Sequence, residues 1–172
     1  MNTFDVMKAR YSVRSYKQTP VEPEKLQAVL EAGRVAPTAC NNQPQKIYVV
    51  QTAEGLERLA KAANIHNPPL ALIICADRHE VWVRPTDQKD TCDIDASIVT
   101  DHMMLRATEL GLGSLWICMF NSEILRKEFQ IPENLVPVNI LVLGYAEGAA
   151  LSPDRHEQLR KPLSETVIYP NF

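Results

Sequence analysis

The stretch DIDASIVTDHMMLRATELG, residues 93–111, decides the fold because its apolar residues recur with the period of an α-helix. At about 100° per residue they divide into two opposed stripes. One stripe holds Ile94, Ile98 and Leu105, and the other holds Ala96, Val99, Met103, Ala107 and Leu110. A helix with two apolar stripes needs a packed layer on each side. The second layer is either another part of the same subunit or a second subunit, and the sequence leaves both open.

Four β-strands are predicted around this helix. Short β-branched runs bounded by helix breakers are typical of strands. The four runs are 47–50, 70–76, 114–117 and 138–143. The polar stretch 80–91 contains Pro85 and predicts an exposed loop. Four strands among helices indicate an α/β or α+β domain.

Two helices are predicted before the first strand. Thr3 is a suitable N-cap for a short helix that runs to about Ala9. Pro23 opens a second helix, since proline is tolerated in the first turn, and Pro37 ends it. That second helix carries an apolar stripe of Leu26, Val29, Leu30 and Gly33.

The composition predicts one globular domain over residues 1–172, with 45% hydrophobic and 23% charged residues. A net charge of −3 gives no general attraction to nucleic acid, so we expect no such partner. We expect neither a signal peptide nor a membrane span, because residues 1–10 carry Asp5 without a long apolar core and no stretch approaches the roughly 20 apolar residues that span a bilayer. We therefore expect a cytoplasmic protein without a membrane partner. In that compartment the four scattered cysteines are expected to be free thiols.

Two short motifs are candidates for a ligand site. Arg10, Ser12 and Arg14 offer two guanidinium groups and a hydroxyl to a phosphorylated ligand, although a solvated basic turn has the same pattern. The stretch PTACNNQP, residues 37–44, offers amide side chains and backbone groups to the edge of a heterocycle. Its alternative interpretation is an ordinary loop after a helix.

Other kinds of site are disfavoured. Neither the glycine pattern of a Rossmann cofactor loop nor that of a P-loop is present. The four histidines lack metal-ligand spacing, and the carboxylates Asp93, Asp95 and Asp101 point in different directions on the predicted helix, so no metal is expected. Cys118 follows an apolar strand, but no histidine lies in an evident partner motif for a nucleophile.

Four blocks in series resemble the nitroreductase family in order and spacing. They are RYSVRSY at 10–16, APTACNNQP at 36–44, LGLGSLWI at 110–117 and RKPL at 160–163. The resemblance covers essentially the whole chain and implies an α+β fold with a central, mainly antiparallel sheet flanked by helices. It also implies an intertwined homodimer with two FMN sites between the subunits. A second subunit of this kind is one way to cover the second stripe of the 93–111 helix.

The resemblance also implies residue roles. Arg10 and Ser12 match positions at the FMN phosphate and ribityl chain, and either Arg160 or Lys161 returns to the phosphate. Arg14 matches a cation at the pyrimidine edge of the flavin, where it would raise the reduction potential. The implied cofactor-binding set is Arg10, Tyr11, Ser12, Arg14, Pro37, Thr38, Ala39, Asn41, Gln43, Cys118, Met119, Arg160 and Lys161. None of these residues is assigned as a catalytic acid, base or nucleophile.

Two parts of that set have particular implied roles. The 37–44 loop, with Gln43 ordering it, is contributed by the other subunit, and the backbone at Cys118 and Met119 lies near the flavin N5. The chain departs from frequent family residues at Tyr11, Thr38, Gln45 and Cys118, which stand where arginine, serine, tryptophan and glycine or glutamate are common. These departures leave the substrate preference open. Whether Asn67 contacts FMN is also open.

The function implied by the resemblance is an FMN-dependent oxidoreductase. Electrons pass from NADH or NADPH through FMN to a nitroaromatic, quinone or similar electron-poor acceptor by a ping-pong mechanism, so no protein nucleophile or general base is required. Two alternatives remain at this point. One is an FMN enzyme of the same fold with a different physiological substrate, and the other is a flavin storage or sensor protein without significant turnover.

Overall fold

Four antiparallel strands form the centre of the structure, a computed structural model that describes residues 2–170 and 172. The strands are β1 (Gln45–Val50), β2 (Leu70–Asp77), β3 (Gly113–Ile117) and β4 (Leu135–Gly144). Their spatial order is β1-β2-β4-β3, and every neighbouring pair is antiparallel. The four predicted strands and the antiparallel sheet are thereby confirmed, and β1 and β3 lie at opposite edges.

Helices surround this sheet. In the described part of the chain they are α1 (Thr3–Ala9), α2 (Pro23–Arg34), α3 (Ala53–Ala60), α4 (Cys92–Glu109), α5 (Ser122–Phe129), α6 (Arg155–Leu159) and α7 (Leu163–Thr166). A short 3-10 turn, Ala39–Asn41, precedes β1. None of these helices has both the length and the apolar character needed to cross a bilayer.

The predicted cap of α1 is wrong by one residue. Asn2, and not Thr3, is the N-cap, because its side chain accepts a hydrogen bond from the Asp5 N–H at 2.9 Å. The Asp5 carboxylate accepts one in return from the Asn2 N–H at 3.2 Å. This reciprocal pair satisfies two helix-end donors at once. A cap at Thr3 has no such partner, since the residue three positions on is Val6.

Helix α4 packs one of its two apolar stripes on the sheet. Ala96, Val99, Met103 and Ala107 are fully buried in a cluster with β2, β4 and α2. The opposite stripe is less covered, because Ile94 is 49% exposed and Ile98 and Leu105 are only half-buried. Within the chain, one side of α4 therefore has its packed layer and the other lacks a complete one. The other face of the sheet is covered by α3 and α5, through the fully buried Leu59 and Leu125.

The segment after α1 runs along the free edge of β3. The Val13 N–H donates to the Ser114 carbonyl at 2.9 Å, and Ser12 forms a parallel bridge with Ser114. Gly113 allows this approach, because a Cβ at that position would stand 2.7 Å from the Val13 Cγ2. The Tyr16 hydroxyl fixes the turn by donating to the Val13 carbonyl at 2.9 Å. The fold thus brings the basic motif at Arg10–Arg14 beside β3.

Candidate functional site

Four arginine side chains line a cavity of about 300 Å³ between the end of α1 and helix α6. They are those of Arg10, Arg14, Arg155 and Arg160. The described residues that line the cavity include no acidic side chain. The full lining is Arg10, Tyr11, Ser12, Arg14, Leu151, Arg155, His156, Leu159 and Arg160. Such a concentration of donors without a carboxylate suits a phosphate group.

The electrostatics of Arg10 agree with an anion site. Burial lowers the pKa of the Arg10 guanidinium, and the positive charges of Arg155 and Arg160 lower the pKa further. Asp101 has a smaller, opposite effect on the pKa. The three cations therefore repel one another without full compensation from the protein. A bound dianion would relieve that repulsion.

Arg155 and His156 line this cavity, and the sequence interpretation missed both. Arg155 donates through Nη1 to the Lys8 carbonyl at 3.1 Å and through Nη2 to the Arg10 carbonyl. His156 Nε2 lies 3.1 Å from the same Lys8 carbonyl. These bonds fasten α6 to the end of α1 and hold the arginines together. No local pattern marks this role of Arg155, because the two carbonyls that tie it to the N-terminal segment lie 147 and 145 residues away in the chain. Its third partner, the Ser152 carbonyl at 2.8 Å, is local.

Arg14 also borders a second, larger cavity of about 680 Å³. The end of β3 and the start of α5 form its wall, and Cys118 and Met119 lie at its rim, Met119 with 90% of its surface exposed. The lining is Arg14, Ala62, Ala63, Asn64, His66, Leu115, Trp116, Ile117, Cys118, Met119, Phe120 and Asn121. The mixture of apolar surface with a few amides and one cation is typical of a cofactor or small-molecule pocket. The two cavities thus form one cleft with a cationic end and a wider end, and Arg14 lies at the boundary between them.

The 37–44 loop does not line either cavity. It precedes β1, whereas the cleft follows β3, and the two strands are the opposite edges of the sheet. Three interstrand spacings of about 4.8 Å separate the edges by roughly 14 Å. Within one chain the structure therefore brings Arg10, Tyr11, Ser12, Arg14, Cys118, Met119 and Arg160 to the cleft but leaves Pro37, Thr38, Ala39, Asn41 and Gln43 apart from it.

Two other residues lie away from the cleft lining. The Lys161 ammonium is 3.9 Å from the Glu165 carboxylate, and its side chain is 75% exposed. Lys161 does not line the guanidinium cavity, whereas Arg160 does. The Asn67 carbonyl accepts a hydrogen bond from the Gln18 side chain at 3.0 Å, and Asn67 borders a cavity that shares His66 with the larger one.

The donor set fits a phosphorylated heterocyclic cofactor. The guanidinium cavity matches the charge of a phosphate monoester, which carries about −1.5 to −2 at neutral pH. The larger cavity offers the width and the apolar wall that a planar ring system needs. Arg14 lies between the two, where it can contact the polar edge of such a ring.

Comparisons with known proteins identify the same family as the sequence blocks. The model of the nitroreductase family matches residues 7–71 and 62–145. A crystal structure of a nitroreductase family protein from Clostridium difficile 630 superimposes with a TM-score of 0.97, at 53% identity over 100% of both chains. An Archaeoglobus fulgidus protein assigned as an NADH dehydrogenase or NAD(P)H nitroreductase is 31% identical over 79% of this chain and 80% of its own length. A Bacillus subtilis protein named FMN reductase [NAD(P)H] is 28% identical over 83% of this chain and 65% of its own.

The predicted family and α+β fold are therefore confirmed. The matched region contains three of the four sequence blocks in full, and the structural match extends over the fourth. The cleft at β3 and the separate loop before β1 are both features of this one chain. The family model, the sequence identity and the shared fold together show that the chain belongs to the nitroreductase family.

Proposed function

We propose that this protein is an FMN-dependent oxidoreductase that takes electrons from NADH or NADPH and passes them to nitroaromatic, quinone or similar electron-poor acceptors. The observation that carries the proposal is the convergence of Arg10, Arg155 and Arg160 on one cavity that Arg14 joins to a larger pocket. The name of the Bacillus subtilis relative, FMN reductase [NAD(P)H], supports the cofactor and the donor.

The residues of the cleft have distinct roles in this proposal. Arg10, Arg155 and Arg160 bind the phosphate, and Tyr11 and Ser12 lie along the ribityl chain. Arg14 faces the pyrimidine edge, where its positive charge stabilises the negative charge that develops on reduction. The backbone at Cys118 and Met119 borders the reacting edge of the ring. FMN supplies the two-electron chemistry that links donor and acceptor in separate, ping-pong halves of the cycle.

A homodimer completes the site in this proposal. The 37–44 loop lies at the sheet edge opposite the cleft, so it reaches an FMN only across a subunit boundary. The less covered stripe of α4 and the exposed apolar side chains of Leu163, Ile168 and Tyr169 offer surface for a second copy. We expect sedimentation equilibrium at micromolar concentration to give twice the chain mass. A monomer that binds FMN with full affinity would contradict the shared site.

The visible absorption spectrum tests the cofactor and the chemistry together. The purified protein, reconstituted with FMN if colourless, is measured before and after anaerobic addition of NADH and then NADPH. We expect flavin bands that bleach with at least one nicotinamide. Bands that persist with both donors would reject the reductase and favour another electron donor or a storage protein. A protein that remains colourless after reconstitution would overturn the FMN assignment.

Cys118 provides a test of the claim that no protein nucleophile takes part. Its side chain is exposed at the rim of the larger cavity. We expect Cys118→Ala to retain FMN and to keep the rate of flavin reduction by the nicotinamide within about threefold, because the backbone and not the thiol borders the flavin. Cys118→Ser is the matched variant that nearly preserves size and replaces the thiol with a hydroxyl, a far weaker nucleophile at neutral pH. Loss of all reduction in both variants would show that the thiol is required.

A further inference from the structure

The 37–44 loop has a backbone conformation that must be maintained by its surroundings. Cys40, Asn41 and Gln43 have φ values of 52°, 56° and 53°. The left-handed region is unfavourable for residues other than glycine, and three such residues within four positions rarely persist without support. One internal bond, from the Gln43 N–H to the Thr38 Oγ1 at 3.0 Å, contributes to that support.

Support from outside the loop comes from two residues. The Glu80 carbonyl accepts a hydrogen bond from the Asn42 side chain at 2.8 Å. The buried one is Asp95, in the first turns of α4. Its Oδ1 accepts a hydrogen bond from the Ala39 N–H at 2.9 Å, and its Oδ2 accepts one from the Thr91 hydroxyl at 2.7 Å. Asp95 is only 1% exposed. A carboxylate is buried at considerable free-energy cost unless hydrogen bonds compensate it, so both bonds constrain their partners strongly.

The bonds of Asp95 connect three segments. Thr91 is itself tied to the preceding loop, because its N–H donates to the Trp82 carbonyl at 3.0 Å. Asp95 thus joins the 37–44 loop to the segment that enters α4 and to α4 itself. The sequence contains a signal for this role. Asp95, Val99 and Met103 are spaced four apart, which puts a charged residue on the buried stripe of the helix.

We propose that Asp95 is a positioning residue for the cofactor site, one that fixes the Ala39 amide and thereby the shape of the loop presented to the flavin of the partner subunit. This inference rests on the proposed function, because the loop contacts FMN only in the shared site. Asp95 itself lies behind the loop and makes no contact with the cofactor. Its effect on FMN is transmitted through the backbone of residues 38–43.

The test measures FMN affinity and loop protection separately. Asp95→Ala is expected to weaken FMN binding by about tenfold, the typical effect of losing one well-placed polar anchor. It is also expected to speed amide hydrogen exchange in the peptide that covers residues 37–44 of the FMN-free protein. Asp95→Asn retains an acceptor for the Ala39 N–H. Its amide can donate to the Thr91 hydroxyl, so this variant is expected to restore both properties to within about threefold of the wild type.

Two further variants keep the test decisive. Thr91→Val removes the hydroxyl bound to Asp95 Oδ2 while leaving Asp95 in place, and it is expected to weaken FMN binding by a smaller factor. Thr100→Val is the control. Thr100 is fully buried on the same helix and donates to Asn139 Oδ1 at 3.0 Å, away from the loop. This control is expected to lower the melting temperature without changing FMN affinity.

The outcomes separate the inference from the function on which it rests. If wild-type protein fails to bind FMN, the proposed function fails. If the wild type binds FMN, the inference is overturned when Asp95→Ala binds equally well, or when Thr100→Val weakens binding as much as Asp95→Ala. If Asp95→Ala does not fold, the comparison of Asp95→Asn and Thr91→Val with Thr100→Val decides. The inference then fails if Thr91→Val leaves FMN affinity and loop exchange unchanged.

Discussion

Replacement of Arg10 by methionine is expected to raise the Kd for FMN by about 10- to 150-fold. Methionine retains most of the aliphatic length of the side chain but removes the charge and the donors. A hydrogen bond to a charged group is worth about 1.5–3 kcal/mol, and each 1.4 kcal/mol changes an affinity about tenfold. The Kd is measured by fluorescence titration of the FMN-free protein, since flavin emission changes on binding.

The same substitution is expected to leave the melting temperature of the FMN-free protein unchanged or higher. Arg10 is repelled by Arg155 and Arg160, and burial adds to its destabilisation, as the lowered pKa of Arg10 reflects. Removing its charge relieves both effects. Weaker cofactor binding together with undiminished stability is the signature of a group selected for the ligand and not for the fold.

Lys161→Met is the matched control for this prediction. It removes one positive charge next to Arg160 in the chain, but Lys161 faces Glu165 outside the cavity. An exposed ion pair contributes little, so FMN affinity is expected to stay within about twofold. Arg160→Met is expected to behave like Arg10→Met. Should Lys161→Met weaken binding strongly and Arg160→Met have no effect, the phosphate contact would belong to Lys161 instead.

Local sequence patterns predicted the elements well because each depends on neighbouring residues. The β-branched runs gave the four strands, and the two stripes of residues 93–111 gave α4 with one stripe buried. The cap of α1 was wrong because Asn2 and Asp5 act as a pair, which a search for one capping residue overlooks. Propensity and periodicity thus predict where an element lies better than they predict the pairwise hydrogen bonds at its ends.

The residues of the candidate site likewise fall into two groups, those that a local pattern predicts and those that long-range contacts bring to the site. Arg10, Ser12 and Arg14 were predicted from a short motif, and they do lie together at one cleft. Arg155 was missed because two of its three carbonyl partners, and the ones that bring it to the cleft, lie at the other end of the chain. The strand order β1-β2-β4-β3, which separates the 37–44 loop from the cleft, is likewise set by long-range pairing that no local pattern determines.

The contact between Gly113 and Val13 provides the second large expected effect. Gly113→Ala is expected to lower the free energy of unfolding by about 1–3 kcal/mol, the usual penalty for overpacking, and to raise the Kd for FMN at least tenfold. The added Cβ would stand 2.7 Å from Val13 Cγ2 and 3.2 Å from Val13 Cβ. Val13 is buried and stiff at χ1, so the segment that carries Ser12 and Arg14 must move away from β3.

Gly111→Ala separates the effect on the site from the loss of stability. Gly111 has φ +78° and ends α4, and a Cβ there would meet nothing within 4 Å. The substitution is expected to cost about 1–2 kcal/mol through backbone strain alone, with FMN affinity unchanged. Adding Val13→Ala to Gly113→Ala removes the Cγ2 that clashes, and the double variant is expected to recover part of the FMN affinity. Independent, additive effects in that double-mutant cycle would contradict the steric link between β3 and the arginine motif.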